Sequence, residues 1–90
     1  MYELEEHVPR VADQIDGLPR RAWNDYVAAL VFLLTHPFDA DLIDQRAPRT
    51  SARLRSFGLG RGQITSRING STNRVKSYDV SFIRMAGDRS

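Results

Sequence analysis

Arg53 and Arg55, separated by one residue in ARLRSF, are the pair in this chain whose type and spacing most directly suggest chemistry. A guanidinium presents N–H donors in a planar fork and keeps its charge at neutral pH, so a close pair suits the non-bridging oxygens of a phosphodiester. Cleaving RNA by attack of its own 2′-hydroxyl needs three things: a proton removed from that hydroxyl, charge stabilised on the phosphorane, and a proton returned to the leaving 5′-oxygen. Arginine serves the second task and fails at the first, because a pKa above about 12 leaves almost no free base at neutral pH. The titratable candidates near the basic half are His7, His36 and Asp79. His36, in THPFD, reads as a helix C-terminal group favoured by the dipole, His7 as a surface residue and Asp79 as the ion-pair partner of an arginine.

Charge divides the chain. Residues 1–47 carry four Arg against nine Asp and Glu, whereas residues 48–90 carry eight Arg and Lys76 against Asp79 and Asp88, within a net charge of +2. Such asymmetry points the C-terminal half at a polyanion or an acidic protein segment. With no cysteine, disulfides and thiolate metal sites are excluded. Asp39, Asp41 and Asp44 have a metal-like density, but no glycine or later glutamate completes a calcium loop, so they read as a solvated loop and no metal or cofactor is expected. The longest apolar run, Val27 to Leu34, is far short of the roughly 20 residues that span a bilayer. The acidic start MYELEEH is unlike a signal peptide, so a cytoplasmic location is expected. Ninety residues with 41% apolar content make one domain, 1–90, near the size at which a domain is marginally stable alone.

The elements that must position the arginines follow from periodicity. Tyr2 to Val8 alternates weakly and reads as a short strand. Pro9 opens a helix carrying Val11, Ala12 and Ile15, which Gly17 stops. From Arg20 to Thr35, Ala22, Trp23, Tyr26, Val27, Leu30, Val31, Leu33 and Leu34 form a broad helical stripe, ended by His36-Pro37. Trp23 and Tyr26 are expected in the core or in helix-to-helix packing on this pattern. Residues 38–50 read as a loop, with a helical turn at 41–45. Period-two alternation then gives three strands, Ser51 to Phe57, Gln63 to Asn69 and Arg74 to Ile83, joined by short glycine-containing loops into an antiparallel meander.

The order is β-α-α-β-β-β, an α+β layer pair with two helices on one face of an antiparallel sheet. In the first meander strand Arg53, Arg55 and Phe57 share one side, opposite Ala52, Leu54 and Ser56; in the next, Gln63, Thr65, Arg67 and Asn69 oppose Ile64, Ser66 and Ile68. The basic sides are expected to form one exposed face. In the last strand Val80 and Phe82 read as core, and so does Tyr78 by alternation with them, with base stacking as its open alternative; Lys76 and Arg84 fall on their register, which calls for a bulge or twist. The stretch FGLGRGQ resembles a phosphate-binding loop, but such loops open a helix and here a strand follows. Gly58, Gly60 and Gly62 therefore read as a hairpin turn at positive φ, with Arg61 at its tip.

In this order of elements the chain resembles RelE/ParE-superfamily toxins of bacterial type II toxin–antitoxin pairs. The strand YELEEH, the helix and Leu-Pro junction VADQIDGLP, the long helix RAWNDYVAALVFLLTHP, the basic strand ARLR, the turn and strand GRGQITSRI and the last strand VKSYDVSFI carry the likeness over the whole length. The resemblance implies a RelE-like fold, an antitoxin protein as partner, and in the RNA-cleaving branch a metal-independent endoribonuclease acting on mRNA in the ribosome. It implies catalytic roles for Arg53, Arg55 and Arg84, and RNA-binding roles for Arg61, Arg67 and Lys76. Arg61 stands one place before the family's third basic position, and MAGDRS has no terminal aromatic. The ParE branch, which inhibits DNA gyrase without catalysis, and a catalytically degenerate antitoxin-binding domain stay open as alternatives.

Overall fold

The structure is a computed structural model and describes residues 1–42 and 52–83. In chain order it contains β1 (Glu3–Leu4), α1 (Pro9–Asp16), a 3₁₀ turn (Arg20–Ala22) leading into α2 (Trp23–Thr35), a second 3₁₀ turn (Pro37–Asp39), β2 (Asp41–Leu42), β3 (Ala52–Phe57), β4 (Gly62–Asn69) and β5 (Arg74–Phe82). Pro9 sits in the first turn of α1 behind an extended Val8, where its missing N–H costs nothing. At the other end of the pair, the His36 N–H closes α2 on the Phe32 carbonyl at 2.7 Å, and Pro37 forbids another turn.

The sheet order is β1-β5-β4-β3-β2. β2 to β5 pair antiparallel, and β1 adds to the start of β5 in parallel through Glu3↔Arg74 and Leu4↔Val75. The expected α+β arrangement forms. Two features escape periodicity: the parallel pairing of β1, and the two-residue β2, where a loop with a helical turn was expected. A two-residue strand is held by backbone bonding to β3 and needs no side-chain period. The rest of that loop lies outside the described residues.

One core joins the layers: Val11, Ile15 and Leu18 pack with Tyr26, Ala29 and Leu33 of α2 and with Phe57, Ile64 and Val80 of the sheet. The α2 stripe is broader than the surface that covers it. Trp23 is 44% exposed, its ring 5.5 Å from that of Tyr26, and Val27 and Val31 continue an uncovered edge. Core or helix-to-helix packing was expected of both: Tyr26 lies in the core, and Trp23, at the start of α2, lines the groove between the two helices.

α1 also closes the edge of β5. The Gln14 side-chain carbonyl accepts the Val80 N–H at 2.8 Å, its amide donates to Asp79 at 2.8 Å, and Arg10 donates to Asp79 at 2.9 Å and to the Tyr78 carbonyl. Side chains thus replace the strand that a free edge would otherwise recruit. Asp79 has the arginine partner expected of it, supplied by α1 and not by a neighbouring strand.

The β3–β4 turn places Gly58, Leu59 and Gly60 at φ of +61°, +60° and +84°. Leu59, fully exposed, forms the tip; Arg61 instead folds back, its N–H on the Gly58 carbonyl at 3.2 Å. A leucine in this region costs about 1–2 kcal/mol in backbone strain. Leu59→Gly is therefore expected to raise the unfolding free energy by about 0.5–1 kcal/mol net of the entropy glycine adds to the unfolded chain. Thermal unfolding of the variant against the parent checks this.

Candidate anion-binding site

Register decides which way the arginines of β3 point. Cross-strand pairs Phe57↔Gly62, Arg55↔Ile64 and Arg53↔Ser66 put Arg53, Arg55 and Phe57 on the helix-facing side, with the buried residues of β4. The single exposed basic face expected from periodicity does not form. Phe57 offers far more apolar surface than Ala52 or Leu54, so its burial among Tyr26 and Phe82 sets the strand's orientation. A period of two carries Arg55 and Arg53 inward with it.

Near the C-terminal end of α2 and the 3₁₀ turn after it, the guanidinium groups lie against aromatic rings. Arg55 stacks on Phe32 of α2, its Cζ 3.9 Å from the ring centroid, and Arg53 lies over Phe38 at 5.3 Å. Both distances fall within cation–π range, worth about 0.5–2 kcal/mol each depending on solvation. Arg53 is only 6% exposed and donates to the Ala52 carbonyl at 3.1 Å. Arg55 is half-buried, and its Nε, shielded from water, has no hydrogen-bond partner among the described residues. A shielded cationic donor without an acceptor is costly, and an anion relieves the cost.

His36 also meets Phe32, its ring 5.7 Å away. The Thr35 hydroxyl donates to the Val31 carbonyl at 2.8 Å, so at its 2.9 Å contact with His36 Nδ1 it acts as acceptor. His36 is the helix C-terminal residue the sequence indicates. His7 is not the surface residue expected: its Nε2 is buried without a partner among the described residues, and it lines an apolar groove between α1 and α2 that includes Ile15, Trp23 and Leu30.

The other expected site residues are dispersed. Arg61 packs over Phe82, Cζ 4.9 Å from the centroid, and its Nε donates to the Ile83 carbonyl at 3.3 Å, so it sits at the end of β5 and not at the turn tip. Arg67 and Lys76 are directly paired across β4 and β5 on the sheet face away from the helices. Arg84 lies outside the described residues. Among the expected groups, the structure brings together Arg53 and Arg55, and separately Arg67 and Lys76. Phe32 and Phe38, which seat the guanidinium groups, carry no sequence signal, because rings and cations that lie far apart in the chain meet only through tertiary packing.

No family model matches the sequence, and no curated protein matches it. Among solved structures, the chain superimposes on the isolated Escherichia coli RelE toxin with a TM-score of 0.73 at 12% identity, covering 97% of this chain and 89% of that one. The fold is that of the RelE toxin. The intact E. coli RelBE toxin–antitoxin complex contains a chain that matches equally well, with a TM-score of 0.73 at 13% identity over 94% of this chain and all of that one. A RelE-like fold thus persists here with nearly nine residues in ten replaced. No helix among the described residues is long and apolar enough to cross a membrane.

Proposed function

We propose that this protein is the toxin of a type II toxin–antitoxin pair and a metal-independent, ribosome-dependent mRNA endoribonuclease. The observation that carries the reading is the Arg55 guanidinium, held over Phe32 on the same strand face as Arg53, its shielded Nε without a partner among the described residues, in a RelE-like fold. The scissile phosphate docks on the outward N–H groups of Arg55. Arg53, nearly buried, contributes its charge from behind and fixes the local field. As the 2′-oxygen attacks, negative charge grows on the non-bridging oxygens, and the fixed guanidinium groups stabilise it without reorganising. Arg84 completes the catalytic set by resemblance, and Arg61, anchored on Ile83 immediately before it, supports phosphate binding.

Neither arginine removes the 2′-proton at neutral pH. His36 meets the Phe32 ring on which Arg55 lies but is not placed in contact with either arginine, so the ribosome is assigned the task of aligning the 2′-hydroxyl and completing proton transfer. An antitoxin partner fits the uncovered Trp23, Val27 and Val31, spaced four residues apart on α2, which suit one face of an amphipathic helix. The same uncovered edge favours the second reading, a ParE-like inhibitor of DNA gyrase that works by protein contact alone.

Induced expression followed by separate assays of translation, mRNA 5′ ends and DNA supercoiling tests the proposal. New 5′ ends within translated messages support the nuclease. Loss of supercoiling with intact messages moves the assignment to gyrase, and no effect on any of the three leaves an antitoxin-binding domain without toxicity.

A further inference from the structure

β5 changes phase along its outer edge. β1 meets its first half as a parallel strand, with the Glu3 and Glu5 N–H groups on the Asn73 and Val75 carbonyls at 2.8 and 2.9 Å. Odd-numbered carbonyls therefore face this edge. Farther on, Thr65 pairs with Asp79 and Ser66 with Ser77, so Tyr78 is an extra residue between them. Tyr78, expected in the core by its alternation with Val80 and Phe82, is extruded there and 42% exposed. Past this bulge the phase is reversed, and the Tyr78 carbonyl and the Val80 N–H are the groups that face the edge. A longer β1 would run out of register with them.

Two side chains of α1 take over. Arg10 donates to the Tyr78 carbonyl, and the Gln14 side-chain carbonyl accepts the Val80 N–H at 2.8 Å. A donor to residue 78 and an acceptor for residue 80 are what one residue of a parallel strand opposite Asp79 would supply. Asp79 ties the pair together, accepting from Arg10 at 2.9 Å and from the Gln14 amide at 2.8 Å. The imitation stops at Val80. By the same phase the Val80 carbonyl and both backbone groups of Phe82 also face the edge, and neither α1 nor β1 supplies a hydrogen bond to them.

Val80-Ser81-Phe82-Ile83 has no charge, proline or glycine, the composition of a segment that pairs with copies of itself. Its edge groups are self-complementary. In an antiparallel two-fold pairing centred on Ser81, Val80 exchanges both N–H···O bonds with Phe82 of the partner subunit, and Phe82 does the same with Val80 of the partner subunit. Asp79 then lies opposite Ile83 of the partner subunit, away from its own counterpart. Gln14 already holds the Val80 N–H that this pairing requires.

We propose that the β5 edge from Val80 to Phe82 is a self-association surface for a second copy of this chain, held shut by Gln14 and Arg10. The latch is a competition for backbone groups, so opening it needs only the two side chains to leave and not α1 to unfold. It is independent of the anion site and of what that site cleaves.

Sedimentation velocity of the full chain over a range of concentrations tests this. Arg10→Ala with Gln14→Ala keeps the helix propensity of α1 and is expected to strengthen self-association at least about tenfold over the parent. Adding Ser81→Lys, at an exposed position, should return the double variant to the parent's value, because the two-fold axis sets residue 81 against its own copy and like charges directly opposed repel. A labelled peptide of residues 78–83 should bind the double variant, and a scrambled peptide should not. Amide exchange in the parent, followed by NMR, keeps the test open should a variant misfold: the Val80 amide should exchange at least about tenfold more slowly than that of Phe82. Unchanged self-association of the folded double variant overturns the proposal. So does an effect that survives Ser81→Lys, equal binding of the scrambled peptide, or equal exchange at Val80 and Phe82.

Discussion

Arg55→Ala is expected to lower the rate of cleavage of ribosome-bound mRNA by about 10²–10³, the usual loss when one preorganised donor to a developing oxyanion is removed. The effect on folding should be far smaller. Arg55 is half-buried and its main described contact is the face of Phe32, so its loss should cost on the order of 1 kcal/mol and lower the melting temperature by about 4–8 °C in a domain of this size. Arg55→Lys keeps the charge without the planar fork, and should bind message almost as well while cutting it slowly. Primer extension on ribosome-bound message, run beside thermal unfolding of each variant, separates the two effects. Arg53→Ala should behave differently. At 6% exposure over Phe38 it is part of the packed structure, and its removal should reduce stability as well as rate. The exposed, fold-neutral arginine pair that periodicity suggests is thus one half-buried guanidinium and one buried one.

Gly62→Ala should be the most damaging glycine-to-alanine change among the described residues. Gly62 lies inside β4 with ordinary strand geometry, so conformational freedom is not what the position requires. A Cβ there would fall 2.3 Å from Cζ and 2.4 Å from Cε2 of the Phe57 ring. That ring cannot withdraw freely, being packed edge-on to Tyr26 at 5.7 Å and stacked on Phe82 at 5.9 Å. Overpacking of this kind costs about 1–3 kcal/mol, and the upper end is expected for a clash with a ring held on two sides. Denaturant unfolding of Gly62→Ala, Phe57→Leu and the double variant measures the coupling. The double variant should be less destabilised than the two single changes added together, because the smaller side chain removes the clash. Since Phe57 orients β3, loss of its packing should also misplace Arg55 and reduce cleavage beyond the fraction unfolded.

The fold was legible where a single element carries its own period. α2, the alternation of β4 and the ends set by Pro9 and Pro37 all follow from local sequence. The candidate site was legible in its residue types and not in its arrangement. Arg53 and Arg55 stood out by spacing, but the face they occupy depends on Phe57 winning the interior, a competition between strands that one strand's pattern does not express. Lys76 on an apolar register did signal a bulge; where it fell, at Tyr78, follows from the pairing with β4 and the edge bonds from Arg10 and Gln14. Gly62 looked like the third glycine of a turn, and its true constraint is a ring contributed by the strand across from it.

The central claim is that a RelE-like fold here presents Arg55 to a phosphate that the ribosome aligns for cleavage. It is tested most directly by incubating the purified protein with one message, free in solution and bound in a translating ribosome, and mapping new 5′ ends over time. The account predicts cuts in the ribosome-bound message at a rate far above that on free RNA, and loss of those cuts in Arg55→Ala. Equal rates on both would contradict the assisted mechanism, and no cleavage of either, with DNA supercoiling by gyrase inhibited in the same preparation, would contradict the nuclease itself.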